Sequence, residues 1–308
     1  MYRSRACLAV LAAVALGLTG CASDDETTDK AATSSASAGC TDDSTAGRDD
    51  VRLLPIPPAK VSLLDAGTGP RRVASGAPNR TSPQALTLVT TSSVKSSGDT
   101  DAQTVEMPLQ ARFHCTDNTD LELTLGTVTS PDAELGGQLG PVAGSHAGIA
   151  LGPGSTPISL RLAPADDAGP QARLAVEQSL LQALQLSVPL PTEPIGTGAR
   201  WQVERTINSA VTVTQHIDAT VRSWHDDVLT LDVTVEETPV NSVFVIPGSD
   251  QTLSISRFSS GGSGQLTVDL SRGLPVGGRI ELSGARELVG ADPGRPLLQQ
   301  TGLSVGWR

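Results

Sequence analysis

The chain has 308 residues, of which 38% are hydrophobic, 18% charged and 2% aromatic, and its formal net charge is −11. The apolar fraction is too high for an entirely disordered chain, and the length allows one large or two modest domains. The scarcity of aromatic rings and the acidic charge argue against nucleic-acid binding, which uses stacking platforms in basic grooves.

The first twenty residues, 1–20, are typical of an export signal. Arg3 and Arg5 form a basic start, and residues 6–18 form an apolar run that is too short to span a membrane. The run leads into a Leu-Thr-Gly-Cys sequence that ends at Cys21 and resembles the lipobox of bacterial lipoproteins. The resemblance implies cleavage before Cys21, acylation of this cysteine and anchorage to the outer face of the cytoplasmic membrane, for which two acyl chains suffice. An ordinary secretory signal with a chance cysteine is the alternative.

Residues 21–50 are predicted to form an acidic flexible tether. They contain eight acidic and two basic residues, and the others are small or polar apart from two cysteines. Such a segment cannot bury enough apolar surface to offset the entropy lost on ordering. Its negative charge would hold the body away from an anionic membrane surface.

Two cysteines remain for a disulfide. Cys7 leaves with the signal and Cys21 carries the lipid, so Cys40 and Cys115 form the remaining pair. A disulfide between them is the expected state outside the cytoplasm. Free thiols, or a metal corner made by His114 and Cys115, are the alternatives.

The body, residues 51–308, is dominated by period-two alternation, which indicates half-buried strands. The alternation is clearest where Val105, Leu109 and Phe113 share one face. Pro108 in this strand has no amide donor, so we expect a sheet edge or a bulge there. Further strands cover 201–207, 211–221 and 229–235, and their succession as hairpins predicts antiparallel pairing.

One segment has helical periodicity instead. Residues 170–187 contain neither glycine nor proline after Pro170, which suits a first helical turn. Val176, Leu180 and Leu184 fall on one face at helical spacing. We expect one long amphipathic helix here, and a long glycine-rich loop at 134–155.

The sequence therefore predicts a mainly β (α+β) body, with a large curved antiparallel sheet or half-barrel and one long amphipathic helix; a β-sandwich is the alternative. The prolines at 189–194 could divide the body into halves at 51–190 and 191–308. Because each half has few large side chains, we expect one continuous sheet rather than two independent domains.

Three segments carry a family resemblance. They are residues 191–201 (PTEPIGTGARW), the Gly-Ser-Gly at 262–264, and residues 268–275 (VDLSRGLP). In this order after a lipobox they resemble a family of actinobacterial membrane lipoproteins with a domain of unknown function, which implies no catalytic residues. The layout is also similar to that of lipid-carrier lipoproteins of the mycobacterial envelope, a likeness of fold and not of site.

The sequence contains no recognisable catalytic or metal motif. His114, His146, His216 and His225 do not have zinc-site spacing, and the Ser-x-x-Lys at 92–95 lacks the partner elements of penicillin-binding enzymes. We therefore expect no enzymatic activity, no cofactor and no metal.

The expected function is a lipid-anchored envelope protein that binds or carries an apolar or lipid ligand. The candidate ligand face combines the helix with the strand opposite, and consists of Val176, Leu180, Leu184, Val105, Leu109 and Phe113. The alternative is a structural or interaction module that docks another envelope protein through a sheet edge.

Overall fold

A computed structural model describes residues 39–308, which lie in one compact unit. The predicted signal, the lipobox with Cys21 and the first part of the tether lie outside the described residues. Within residues 39–308 no helix is both long enough and apolar enough to cross a membrane.

The first part of the body contains eight strands and one short α-helix. Its elements are β1 (Arg52–Pro55), β2 (Lys60–Asp65), β3 (Thr68–Arg72), β4 (Gln84–Ser96), β5 (Asp99–Phe113), β6 (Asp120–Leu125), α1 (Ala133–Leu139), β7 (His146–Gly152) and β8 (Thr156–Ala163).

The long helix α2 (Pro170–Gln185) follows, and the rest of the chain is β-structure. Its strands are β9 (Ile195–Thr197), β10 (Arg200–Ile207), β11 (Val213–His225), β12 (Val228–Pro239), β13 (Val243–Val245), β14 (Thr252–Asp269), β15 (Gly277–Val289) and β16 (Leu297–Trp307).

Fourteen of these strands form one antiparallel sheet. The hydrogen-bonded order is β1-β8-β7-β6-β5-β4-β16-β15-β14-β12-β11-β10-β2, and β13 pairs with β14 beyond the end of β12. β3 and β9 form a separate two-stranded pair. The predicted mainly β fold with a large antiparallel sheet and one long helix is confirmed. The sheet is open, with β1 and β2 as its edges, so it is neither closed nor curled into a half-barrel, and one sheet replaces the alternative sandwich.

The two possible halves share this sheet. The last strand, β16, pairs with β4, and the early strand β2 pairs with β10 at the opposite edge. Strands from each half therefore form hydrogen bonds with strands from the other half, as expected for one continuous sheet.

Helix α2 packs one face on the sheet. Its buried positions recur every three or four residues and include Val176, Leu180 and Leu184, as the spacing predicted. Ser179, also buried, accepts a 2.9 Å hydrogen bond from the hydroxyl of Thr90 in β4. The helix lies against β4, β5 and β8, so it covers only part of the sheet.

The expectation of a long loop at 134–155 is wrong, because the segment contains α1 and β7. Asp132 caps α1 by accepting hydrogen bonds from the amides of Glu134 and Leu135. In β7, a Cβ on Gly148 would lie 2.2 Å from the hydroxyl of Thr45. This glycine therefore marks a close approach within a strand and not a loop.

β5 pairs with both β4 and β6, so Pro108 does not lie at a sheet edge. The expected alternative, a bulge, fits instead, because the partner segment has one extra residue between Gly126, opposite Pro108, and Thr129, opposite Glu106. Pro108 lies beside Gly126, whose amide donates to the carbonyl of Pro108 over 2.8 Å. Gly126 is the first residue after β6, so the missing amide falls where the β5–β6 ladder ends.

Residues 39–50, predicted as the last part of a flexible tether, contact the body. Thr41 forms a bridge with His114, the disulfide joins Cys40 to Cys115, and Thr45 is buried. Polar contacts thus fix residues 39–50 to the body, although their composition contains almost nothing apolar.

Candidate functional site

Among residues 39–308, the predicted disulfide is formed. Cys40 and Cys115 are bonded, with their Cα atoms 5.1 Å apart. The bond ties the segment that leads out of the tether to the end of β5. A disulfide of this kind is typical of proteins outside the cytoplasm.

The predicted ligand face is divided between core and cavity walls. Val105, Leu109 and Phe113 of β5 are buried in the main core, and so is Leu180 of the helix. The remaining helix residues, Val176 and Leu184, line two different cavities, of about 260 Å³ and about 60 Å³. The six residues therefore do not enclose one common cavity.

A third cavity lies at the C-terminal end of α2. It has a volume of about 230 Å³, and we name it the Gln215 cavity. Leu186 at the helix end and Phe258, Leu303 and Val213 of the sheet supply apolar walls. Gln215, Glu237, Ser260 and Arg286 supply polar groups. Its walls thus combine apolar surface with a few fixed polar groups, the usual composition of a small-molecule site.

The sheet register creates the polar part of this cavity. Arg205 in β10 lies opposite Gln215 in β11, which lies opposite Glu237 in β12. The Gln215 amide donates to one oxygen of Glu237 over 3.1 Å, and the Ser260 hydroxyl donates to the other oxygen over 2.7 Å. A polar row therefore crosses four neighbouring strands on the face that carries the core.

Two atoms of this row have no hydrogen-bond partner among residues 39–308. They are Oε1 of Gln215 and Nε of Arg205, in side chains of residues that are 1% and 3% exposed. Unpaired buried polar atoms are costly, and each of them needs a physical explanation. Their occurrence on facing residues distinguishes this row from ordinary core.

The other nitrogens of Arg205 hold the end of the helix. They donate to the carbonyl oxygens of Leu184, Gln185 and Ser187 over 3.1, 2.7 and 2.8 Å. A cation at a helix C-terminus interacts favourably with the unpaired carbonyls and the helix dipole. Burial lowers the pKa of Arg205 to about 10, so the side chain remains charged at neutral pH.

Small residues form the floor of the cavity. Gly284 in β15 lies opposite both Ser260 and Thr301. A Cβ at Gly284 would lie 2.7 Å from the carbonyl oxygen of Ser259, so the position excludes a side chain. The glycine therefore lets β15 lie close to β14 and β16 beside the cavity.

Arg286 is held in a fixed orientation at one wall. Its Cζ atom lies 4.4 Å from the centroid of the Phe244 ring, and its Nε donates to Oε1 of Gln299 over 2.8 Å. Burial lowers the pKa of this guanidinium. The arrangement is a desolvated cation with its plane stacked on an aromatic ring.

Two polar residues in the sequence could have indicated this site, but they lie in strands whose apolar alternation made them look like part of the core. Arg205 and Gln215 occupy positions of the apolar face in strands 201–207 and 211–221. Charged or amide side chains in the buried phase of a strand are uncommon and need partners. Interpreting them as part of a uniform core face missed the site.

Comparison of the chain with known protein families and with curated proteins found no match. No group of three or more potential metal ligands occurs among the described residues.

Proposed function

We propose that this protein is a non-enzymatic, lipid-anchored protein of the cell envelope that binds an apolar or lipid-like small molecule in the Gln215 cavity. The supporting observation is the incomplete cover that α2 gives the sheet. The helix lies on β4, β5 and β8, and beyond its C-terminal end the strands β14–β16 contribute Phe258 and Leu303 to an apolar-walled cavity.

The volume of the cavity limits what it can hold. Pockets for drug-sized molecules have volumes of about 300 Å³ or more, whereas the Gln215 cavity has about 230 Å³. A second cavity of about 60 Å³ shares Leu186 as a wall and is lined by apolar residues that include Ile280, Val305 and Trp307. A slender ligand that extends from the first cavity towards the second fits these dimensions.

The proposed location rests on two features. The disulfide between Cys40 and Cys115 suits an oxidising compartment outside the cytoplasm. The lipobox resemblance at Cys21 supplies the anchor, and the acidic residues of the predicted tether separate the body from an anionic surface. Both features support a location beside a membrane, where apolar ligands are available.

A cavity-filling variant tests the proposal. The fluorescent apolar probe N-phenyl-1-naphthylamine should bind the protein, and Leu303→Trp should weaken this binding by about tenfold or more, corresponding to about 1.4 kcal/mol. Leu298→Trp is the matched control, because Leu298 lies on the same strand and is exposed. Equal binding by both variants and the unaltered protein would contradict the proposal.

A second candidate function is docking of another envelope protein through a sheet edge. Each edge strand carries a strongly exposed leucine, namely Leu53 of β1, which is 64% exposed, and Leu64 of β2, which is 60% exposed. Edge strands can pair with a partner strand through their free backbone groups. Under this alternative, Leu64→Glu would abolish the association with the partner and leave probe binding unchanged.

A further inference from the structure

Arg286 has the properties of a side chain that binds the anionic headgroup of a ligand. Its guanidinium is stacked on Phe244 and oriented by Gln299, and these contacts use the ring face and Nε. No carboxylate among the described residues forms an ion pair with it. The terminal nitrogens of an oriented guanidinium form the fork that binds carboxylates and phosphates in a bidentate manner.

Glu237, the other charged residue that lines the cavity, and Arg205, which lies beside Gln215, are already engaged. Both oxygens of Glu237 accept hydrogen bonds, from Gln215 and from Ser260. The terminal nitrogens of Arg205 are bonded to the carbonyl oxygens at the end of α2. Arg286 is therefore the cation that remains for a ligand, and its partial burial strengthens an interaction with an anion.

The sheet register places an apolar path beside this cation. Arg286 lies opposite Phe258 and Gln299, and the next position on the same face of β15 is Gly284, which has no side chain to cover the neighbouring cavity wall. Further along the strand, Ile280 lines the smaller apolar cavity. Residues 286 and 280 are separated by about 20 Å in an extended strand, a distance suited to an acyl chain.

We infer that the ligand is an anionic amphiphile with a single chain, whose carboxylate or phosphate oxygens bind the terminal nitrogens of Arg286. Its chain crosses Gly284 towards Leu303 and the cavity lined by Ile280. This inference rests on the proposed function and defines the chemical class of its ligand.

The test compares ligands that share one chain and differ in the headgroup. Titration calorimetry should show that laurate binds the unaltered protein about tenfold or more tightly than dodecanol. Arg286→Gln should reduce laurate binding to the level of dodecanol binding and so remove this preference, and an unchanged circular-dichroism spectrum shows that the variant is folded. Dodecyl phosphate distinguishes the two anions: tighter binding than laurate supports a phosphate headgroup, and weaker binding supports a carboxylate.

Arg257→Gln is the matched control, because Arg257 lies on neighbouring β14 and its side chain is 83% exposed. It should leave the preference for laurate intact. Equal affinities for laurate and dodecanol in the unaltered protein, or an equal loss in both arginine variants, would overturn the inference and leave the proposed function standing. Binding of neither compound would overturn the proposed function as well.

Discussion

Thr45 donates two hydrogen bonds to the same carboxylate oxygen of Glu122, one from its backbone amide and one from its hydroxyl, each over 2.9 Å. Arg161 completes the cluster by donating to Glu122 over 3.0 Å and also to Asp120. The segment that leaves the predicted tether is thus attached to the body by a buried ionic cluster.

Removing the cation of this cluster should be strongly destabilising. Arg161→Met leaves Asp120 and Glu122 as buried carboxylates without their cation, and breaking a buried ion pair in this way costs about 3–5 kcal/mol. Urea unfolding measures the loss. Arg200→Met is the control, because its ion pair with Asp65 is exposed and should contribute about 0–1 kcal/mol. Similar losses in the two variants would show that the cluster does not act as a buried unit.

The disulfide should stabilise the protein by restricting the unfolded chain. Its cysteines are 75 residues apart, and closing a loop of this size contributes up to about 4.5 kcal/mol in the chain-entropy model. The double variant Cys40→Ser, Cys115→Ser should lose about 2–4 kcal/mol of unfolding free energy. The reduced form of the unaltered protein is the control and should show the same loss, whereas unchanged stability in both would contradict the prediction.

The sequence predicted the helix and strands such as β5 because these elements keep one period along most of their length. Val105, Leu109 and Phe113 alternate as a strand requires, and Val176, Leu180 and Leu184 recur as a helix requires. These periods arise because one face of each element is buried and the other is exposed. The order of strands in the sheet depends on pairing between distant segments and cannot be obtained from periodicity.

The features that the sequence analysis missed depend on contacts across strands. Gly148 lies between Glu122 and Arg161 in the sheet register. Its missing side chain lets Arg161 reach across β7 to Glu122, but a glycine in an isolated sequence resembles a loop residue. In the same way, Arg205 and Gln215 become a polar row only when the register places them opposite each other.

Leu180 should be a principal contact between the helix and the sheet. It is 2% exposed, so Leu180→Ala should cost about 2–5 kcal/mol through lost burial and the cavity left behind. Leu174→Ala is the control on the same helix, since Leu174 is 50% exposed and should change stability by less than about 0.5 kcal/mol. Chemical unfolding of both variants measures the difference, and equal effects would contradict the packing of α2 on the sheet.

Arg205 should stabilise the C-terminal end of α2. Arg205→Met removes the donors to the carbonyl oxygens of Leu184, Gln185 and Ser187 and should cost about 1.5–3 kcal/mol. Arg205→Lys keeps a cation at the helix end and should recover part of this loss. Hydrogen exchange at the last turn of α2 should accelerate in Arg205→Met, and unchanged exchange would show that the helix end does not depend on the arginine.

Asp232 should make stability depend on pH through a contact on the exposed face of the sheet. The side-chain amide of Gln265 donates to its carboxylate over 3.0 Å, and this bond, with a smaller contribution from Arg222, lowers the pKa of Asp232 below 3.8. A carboxylate whose pKa is lowered in the folded state stabilises the protein when the pH is above the pKa of an unfolded aspartate. This contribution is lost as the pH falls through the pKa of the folded state. Gln265→Leu should therefore reduce stability at neutral pH by at most about 1 kcal/mol, and the deficit should close in acid. Urea unfolding across this range measures the effect, with Gln300→Leu as an exposed strand control; a deficit independent of pH would exclude the carboxylate as its source.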